Sequence, residues 1–81
     1  MTFPCRFPVK AMGLAQPDFD GVIFEIVRRH APDIREGAVT MRSSSGGKYV
    51  AVTVVIEATS REQLDAIYQD LTADERVVWA L

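Results

Sequence analysis

The segment KYVAVTVVIEA, residues 48–58, predicts the strand around which the rest of the chain folds. Six of its eleven residues are β-branched, and such side chains fit a pleated strand better than a helix. Alternate residues point to opposite sides of a strand. One side is uniformly apolar and comprises Val50, Val52, Val54, Ile56 and Ala58; the other is mixed and comprises Tyr49, Ala51, Thr53, Val55 and Glu57. The apolar side must be covered by helices, whereas the mixed side can meet water or a partner.

The residues before this strand predict one further strand and one helix. Residues 5–12 predict a strand with Phe7, Val9 and Ala11 on one face and Arg6, Pro8, Lys10 and Met12 on the other, and we expect Gly13 to end it. Asp18 has the side chain of an N-cap for the helix that follows. Apolar positions then recur at helical spacing, at Phe19, Val22, Ile23, Ile26, Val27 and, at the end of the stripe, His30. Ala31-Pro32 should stop this helix, because a residue before proline avoids the helical region.

A hairpin is predicted between the helix and the central strand. Residues 37–43 form its first arm, with Val39 and Met41 facing the core. Residues 43–47, SSSGG, form the turn, since adjacent glycines permit the positive φ angles of a tight hairpin.

A second helix and a last strand complete the chain. Ser60 with Gln63, or Thr59 with Glu62, fits a capping box at the start of the helix. Its apolar stripe comprises Leu64, Ile67, Tyr68 and Leu71. Residues 76–81, RVVWAL, predict the final strand.

The element order βαββαβ predicts an α+β protein of the ferredoxin-like class, with a four-stranded antiparallel sheet of order 4-1-3-2. Right-handed crossovers place both helices on one face of the sheet. We expect a single domain over residues 1–81, with residues 1–4 as a loose arm. The other sheet face then stays uncovered, which often marks association. We therefore predict that Tyr49 and Val55 contribute to a homo-oligomer or partner surface.

Composition argues against several classes of partner. The chain of 81 residues has 9 basic and 11 acidic residues and a net charge of −2, so we expect no nucleic acid partner. This net charge leaves room for a small local basic patch. No apolar run approaches the length of a membrane span, and the first residues lack the apolar core of a signal peptide. Cys5 is the only cysteine, which excludes an intramolecular disulfide and suits a reducing compartment. These features predict a cytoplasmic protein without a membrane partner.

No arrangement of residues in the sequence predicts catalysis, a metal site or a cofactor. His30 continues an apolar stripe and is interpreted as structural. Cys5 lacks the partners of a Cys-His-Asn set, since the chain contains no asparagine. The segment from Ser43 to Lys48 lies in a hairpin and not between a strand and a helix, so it is not a phosphate-binding P-loop. We therefore predict that the protein is not an enzyme.

Two candidate sites remain. The polar hairpin could read a partner or an anion through Arg42, Ser43, Ser44 and Tyr49; alternatively, its serines and glycines only form the turn. The ferredoxin-like plan is also shared by ACT domains, which bind amino acids near the first strand–helix loop. Here that loop contains Met12, Gly13 and Gln16, and Gly13 would let a ligand approach closely.

These sites lead to two functional hypotheses. The first is a regulatory or ligand-sensing module with an amino acid effector, similar to ACT domains by fold alone. The alternative is a non-enzymatic adaptor that binds a protein through the uncovered sheet face or adds a partner strand at a sheet edge. Recognition of RNA would need paired aromatic side chains on the uncovered face, where Tyr49 is followed by Ala51.

Five segments resemble the YbeD-like family of small bacterial proteins of unknown function. They are FPVKAMG (7–13), RRHAPD (28–33), RSSSGGKYVAVTV (42–54), EQLDAIYQDL (62–71) and RVVWAL (76–81). The resemblance implies a ferredoxin-like fold close to that of ACT domains and a bacterial cytosolic origin. It implies no catalytic residues, because none are established for the family. The short N-terminal arm and the Gly46-Gly47 pair depart from the family pattern.

Overall fold

The computed structural model describes residues 2–44 and 46–81. Its elements are β1 (Cys5–Leu14), α1 (Phe19–Arg28), a 3-10 turn (Glu36–Ala38), β2 (Val39–Ser43), β3 (Tyr49–Ala58), α2 (Arg61–Ala73) and β4 (Val77–Ala80). The sheet is antiparallel, in the order β2-β3-β1-β4. The ferredoxin-like class and the order 4-1-3-2 predicted from the sequence are thereby confirmed. Met1 of the predicted arm and Ser45 of the predicted turn lie outside the described residues.

The two longest strands form the centre of the sheet. β1 pairs with β3 over their full ten-residue length, from Cys5 opposite Ala58 to Leu14 opposite Tyr49. The apolar side of β3 is buried under the helices, as its alternation predicted. The fully buried large side chains are Val9, Phe19, Ile23, Val27, Val52, Val54, Ile56, Ile67 and Leu71. The core is therefore one layer between the sheet and the helices.

The side of the sheet turned away from the helices is called the open face. Directly paired residues of neighbouring strands share a face, so the strand register assigns its members. They are Arg6, Pro8, Lys10, Met12 and Leu14 of β1; Thr40 and Arg42 of β2; Tyr49, Ala51, Thr53, Val55 and Glu57 of β3; Trp79 of β4; and Leu81. Each of these side chains is exposed or half-buried. This agrees with the mixed composition that predicted an uncovered face.

Three local predictions were wrong. β1 continues through Gly13 to Leu14, because its pairing with β3 extends to Leu14 opposite Tyr49. Met41 lies on the helix side but is 55% exposed, since β2 is an edge strand in which Val39 alone packs against the core. Asp18 precedes α1 but its carboxylate makes no capping hydrogen bond; the Phe19 N–H donates to the Gln16 carbonyl oxygen instead.

The start of α2 follows one of the two predicted capping schemes. Ser60 Oγ accepts a hydrogen bond from the Gln63 N–H at 3.1 Å. Gln63 Oε1 accepts in return from the Thr59 N–H at 2.8 Å, one residue earlier than in a standard capping box. The Ser60–Gln63 scheme is therefore confirmed.

Gly13 is a packing residue, and this generates a prediction. A Cβ atom at position 13 would lie 2.3 Å from the Arg76 carbonyl oxygen and 2.6 Å from the Phe19 ring. Gly13→Ala should therefore destabilise the protein by about 1–3 kcal/mol, which thermal unfolding would report as a loss on the order of 5–20 °C. Gly21→Ala is the matched control, because no atom lies within 4 Å of its added Cβ and alanine favours α1 by about 0.5–1 kcal/mol. Equal unfolding temperatures for the two variants would contradict the packing role.

Candidate functional site: the open face

The open face is organised in rows that cross all four strands. One row runs from Arg42 through Ala51 and Met12 to Trp79. With neighbouring strands about 4.8 Å apart, it spans roughly 14 Å. The adjacent row contains Thr40, Thr53, Lys10 and Leu81. The small side chains of Ala51 and Thr53 thus lie between longer ones at the centre of the sheet.

Apolar side chains surround this centre. Trp79 is 39% exposed, Leu14 is 47% exposed and Leu81 is 69% exposed. Val55 lies beside Pro8 further along the sheet, and both are accessible. The open face is therefore an amphipathic surface and not a uniformly solvated one.

Basic side chains dominate the charge of the open face. Arg6, Lys10 and Arg42 are exposed members of it. Lys48 joins them, since its Nζ lies 5.5 Å from the centroid of the Tyr49 ring, within the range of a cation–π contact. The only acidic member is Glu57, directly opposite Arg6. This surface is positive although the chain as a whole is acidic.

β4 covers only part of β1, and the part of β1 that extends past β4 is poorly suited to pairing with a partner strand. Lys10 exchanges two backbone hydrogen bonds with Leu81, at 2.9 and 2.8 Å. The backbone N–H and C=O groups of every second residue in a strand point to the same side, so the backbone nitrogen and C=O of Pro8 point the same way as those of Lys10. Proline has no N–H to donate there and interrupts a ladder. Pro8 therefore protects this edge against the addition of a partner strand.

The structure separates the residues predicted in the hairpin. Arg42, Tyr49 and Val55 share the open face, whereas Ser43 lies opposite Val50 and belongs to the helix side. Ser44 Oγ accepts a hydrogen bond from the Tyr49 N–H at 3.0 Å. Gly46 and Gly47 have φ angles of +87° and +73°, which explains glycine at both positions. In the described residues of this hairpin, Ser44 and the two glycines thus serve the turn.

The predicted ligand loop is likewise divided. Met12 lies on the open face. Gly13 is buried and the space above it is filled by Phe19 and Arg76, so its lack of a side chain serves packing and leaves no room for a ligand. Gln16 is exposed and lines a shallow depression of about 550 Å³ with Leu14, Val78 and residues 73–76.

A charged pair forms one wall of this depression. The Arg76 side chain donates two hydrogen bonds to the Asp74 carboxylate, at 2.9 and 2.8 Å. The Arg76 backbone N–H donates a third, also at 2.9 Å. The side-chain hydrogen bond from Arg76 is the main cause that lowers the pKa of Asp74 to about 2. Asp74 is therefore ionised at neutral pH and holds the start of β4 against the end of α2.

His30 links the two helices. Its Nε2 lies 2.6 Å from Asp70 Oδ2 of α2, and its carbonyl oxygen accepts a hydrogen bond from Gln63 Nε2 at 2.7 Å. Both nitrogen-to-oxygen contacts join the end of α1 to α2. These contacts agree with the structural interpretation of His30 and identify Asp70 as a partner that the sequence did not indicate.

Metal-ligand clusters and membrane spans can be assessed over residues 2–44 and 46–81. In these ranges no three His, Cys, Asp or Glu side chains come together in a way that could hold a metal ion. None of the helices in the same ranges has the length and apolar character needed to cross a membrane.

Comparison with known proteins places the chain in a family. A model of the family described as "Protein of unknown function (DUF493)" matches residues 1–81. The chain belongs to the DUF493 family. A UPF0250 protein of Chromobacterium violaceum is 52% identical over 79 residues, which cover 98% of this chain and 89% of that protein. UPF0250 protein RSc0326 of Ralstonia nicotianae is 48% identical over 75 residues, covering 93% and 77% respectively. The YbeD-like resemblance is thereby confirmed.

A solved structure shares the fold of this DUF493 protein. The solution structure of protein HP0495 from H. pylori superposes with a TM-score of 0.74 and covers 100% of this chain and 85% of that one. The two sequences are only 14% identical. The similarity supports the ferredoxin-like fold and carries no functional assignment.

Two members of the open face were not singled out from the sequence. Lys10 belonged to the polar side of the first predicted strand, and only the strand order places it beside Thr53. Trp79 lies opposite Met12, whereas Val77, two residues earlier, lies opposite Gly13 and packs against the core, because the register of β1 against β4 shifts between Met12 and Gly13. A one-residue shift moves a side chain to the other face, so no sequence signal fixed the position of Trp79.

Proposed function

We propose that this DUF493 protein is a non-catalytic module that binds a protein partner through its open face. The observation that carries the proposal is a four-stranded sheet covered by helices on one side only, with accessible apolar side chains on the other. Domains bury the apolar surface of a sheet against another layer. A protein partner would supply the missing layer on the side of Met12, Val55 and Trp79.

The arrangement of reactive side chains supports a binding role over a catalytic one. His30 is held between Asp70 and Gln63 at the junction of the helices. Cys5 pairs with Ala58 in the sheet and packs against the core. Neither residue belongs to the open face, where the exposed apolar and basic side chains lie.

Removal of apolar contacts from the open face tests this proposal. The double variant Val55→Ser/Trp79→Ser should lose a protein partner that the wild-type chain captures from a lysate of its own bacterium. A buried aromatic anchor typically contributes 2 kcal/mol or more to an interface, equivalent to roughly thirtyfold in affinity. Co-purification followed by quantitative mass spectrometry would measure the loss.

Met41→Ser is the matched control for that experiment. Met41 is 55% exposed but lies opposite Val52 on the helix side of the sheet. The control should retain the partner, and both variants should unfold cooperatively. The proposal fails if the folded double variant captures every protein that the wild-type chain captures.

Sensing of an amino acid is a second candidate function, favoured by the depression beside Gln16. Its wall presents the carboxylate of Asp74 and the guanidinium of Arg76, which are hydrogen-bonded to each other. The ammonium and carboxylate of an amino acid would pair with the remaining lone pairs of Asp74 and the remaining N–H groups of Arg76. This site resembles that of ACT domains by position in the fold alone. Gly13 no longer supports it, since its space is filled.

A thermal-unfolding screen against the twenty amino acids tests the second candidate. A ligand at about 100 times its dissociation constant stabilises the folded state by roughly 2.7 kcal/mol, a shift on the order of ten degrees for a domain of this size. Gln16→Ala should reduce the shift, whereas Gln69→Ala, an exposed glutamine on α2, should leave it unchanged. No shift with any amino acid, or an equal shift in Gln16→Ala, would contradict sensing at this site.

A further inference from the structure

Charge is distributed very unevenly between the two sides of the molecule. Arg6, Lys10, Arg42 and Lys48 place four of the nine basic residues on the open face, against one of the eleven acidic residues, Glu57. The remaining five basic and ten acidic residues lie on the helices and connecting segments. The net charge of −2 therefore combines a basic open face with acidic helices and connecting segments.

We propose that the occupant of the open face is an acidic amphipathic helix of a partner protein. This inference rests on the proposed function and specifies the chemistry of the partner. Complementary charge steers association and fixes orientation, so a basic face selects a segment rich in Asp and Glu. The apolar side chains of Met12, Val55 and Trp79 select a segment that also has an apolar stripe.

The dimensions of the face fit a helix. A helix with its side chains is about 10–12 Å wide, and the row from Arg42 to Trp79 spans roughly 14 Å. The small residues Ala51 and Thr53 lie along the middle of the sheet, where the apolar stripe would pack. Lys10 and Arg42 lie on the strands to either side of them and can meet carboxylates on the two flanks of such a helix.

The side chains of the face favour a protein over a single-stranded nucleic acid. Nucleic acid binding by a sheet uses aromatic rings on neighbouring strands as stacking platforms. Tyr49 lies on β3 and Trp79 on β4, and β1 separates the two strands. The two rings also lie in different rows, because Tyr49 is opposite Leu14 whereas Trp79 is opposite Met12. The Tyr49 ring already faces Lys48 Nζ. The other accessible apolar side chains of the face are not aromatic and offer no stacking surface to bases; they include those of Pro8, Met12, Leu14, Val55 and Leu81.

A second copy of the chain fits the face less well. A face-to-face dimer is symmetric and uses the same patch twice, so it would bring eight basic side chains together against two carboxylates. Alternatively, the acidic helices of one copy could dock on the open face of the next copy. Such a head-to-tail interface produces an open filament unless the copies close into a ring. The oligomeric alternative predicted from the sequence is therefore less favourable than a different partner.

Designed peptides can test the chemistry without knowledge of the natural partner. The first probe is a labelled 18-residue helical peptide with leucine on one face and glutamate on the other. The second carries lysine at each glutamate position, and the third is a fluorescent oligouridylate of twelve nucleotides. Binding is followed by fluorescence anisotropy, and the contact surface by amide chemical shifts of the isotopically labelled protein, at 50 and 500 mM salt.

We expect the glutamate peptide to bind best and to shift amides of all four strands beside the open-face residues, including Arg42 of β2. Because the Debye length falls from about 14 Å to about 4 Å over this salt range, its affinity should fall as well. The variant Lys10→Glu/Arg42→Glu should bind it at least tenfold more weakly, since like charges now meet. Arg28→Glu/Arg61→Glu makes the same change of net charge at exposed helix positions and should bind it normally.

The other outcomes overturn the inference in distinguishable ways. Equal binding of both peptides to the open face would reject an acidic partner but keep the proposed binding function. Binding of the oligouridylate alone would replace the protein by a nucleic acid. A mass that doubles with concentration and is lost in Lys10→Glu/Arg42→Glu would assign the face to a second copy. Absence of binding by every probe would reject the acidic helix, and the Val55→Ser/Trp79→Ser capture would then decide the proposed function separately.

Discussion

The pairing of β1 with β3 is the interaction on which the rest of this structure depends. It joins residues 5–14 to residues 49–58 in one uninterrupted antiparallel register. It fixes Val9 and Ala11 on the same side as Val52 and Val54, and the helices cover that side. A shift of the register by one residue would turn the apolar side of one strand away from the core. Burial of that side therefore holds the register in place.

The same alternation that forms the core also forms the candidate site. Each residue placed under the helices leaves its neighbour in the chain on the open face, so Val54 is buried and Val55 is accessible. Arg42 and Trp79 reach this face because β2 and β4 extend the sheet on either side of the central pair. The surface is thus built by regular strands, which hold side chains more rigidly than loops do. The contacts between His30, Asp70 and Gln63 join the helices on the opposite side of the sheet and involve no residue of the open face.

The sequence was sufficient to predict the fold because its periodicities are strong. The alternation in residues 49–58 and the helical stripe from Phe19 to Val27 each identify an element and its buried side. The βαββαβ order then leaves few topologies that satisfy right-handed crossovers. Tyr49, Val55 and Arg42 could be placed on or near an accessible surface for the same reason.

What could not be predicted depends on contacts between segments distant in the chain. The position of Trp79 opposite Met12 requires a shift of register in β4. The missing side chain of Gly13 was interpreted as leaving space for a ligand, but the Phe19 ring and the Arg76 carbonyl oxygen fill that space. The exposure of Met41 follows from the edge position of β2. Net charge could not locate the basic residues, because a sum over the chain does not reveal that four of them lie on one sheet face.

Under the proposed function, the two sides of β3 have separate roles, one in stability and one in binding. The free energies of unfolding of Val54→Thr and Val55→Thr measure this difference between the two sides. Threonine keeps the β-branched shape and strand preference of valine and adds a hydroxyl group. Val54→Thr should lose about 1–3 kcal/mol, because its hydroxyl is buried in an apolar layer, and Val55→Thr should change stability by less than about 0.5 kcal/mol. Equal losses at the two positions would show that the face we describe as open is part of the core, and would contradict the account.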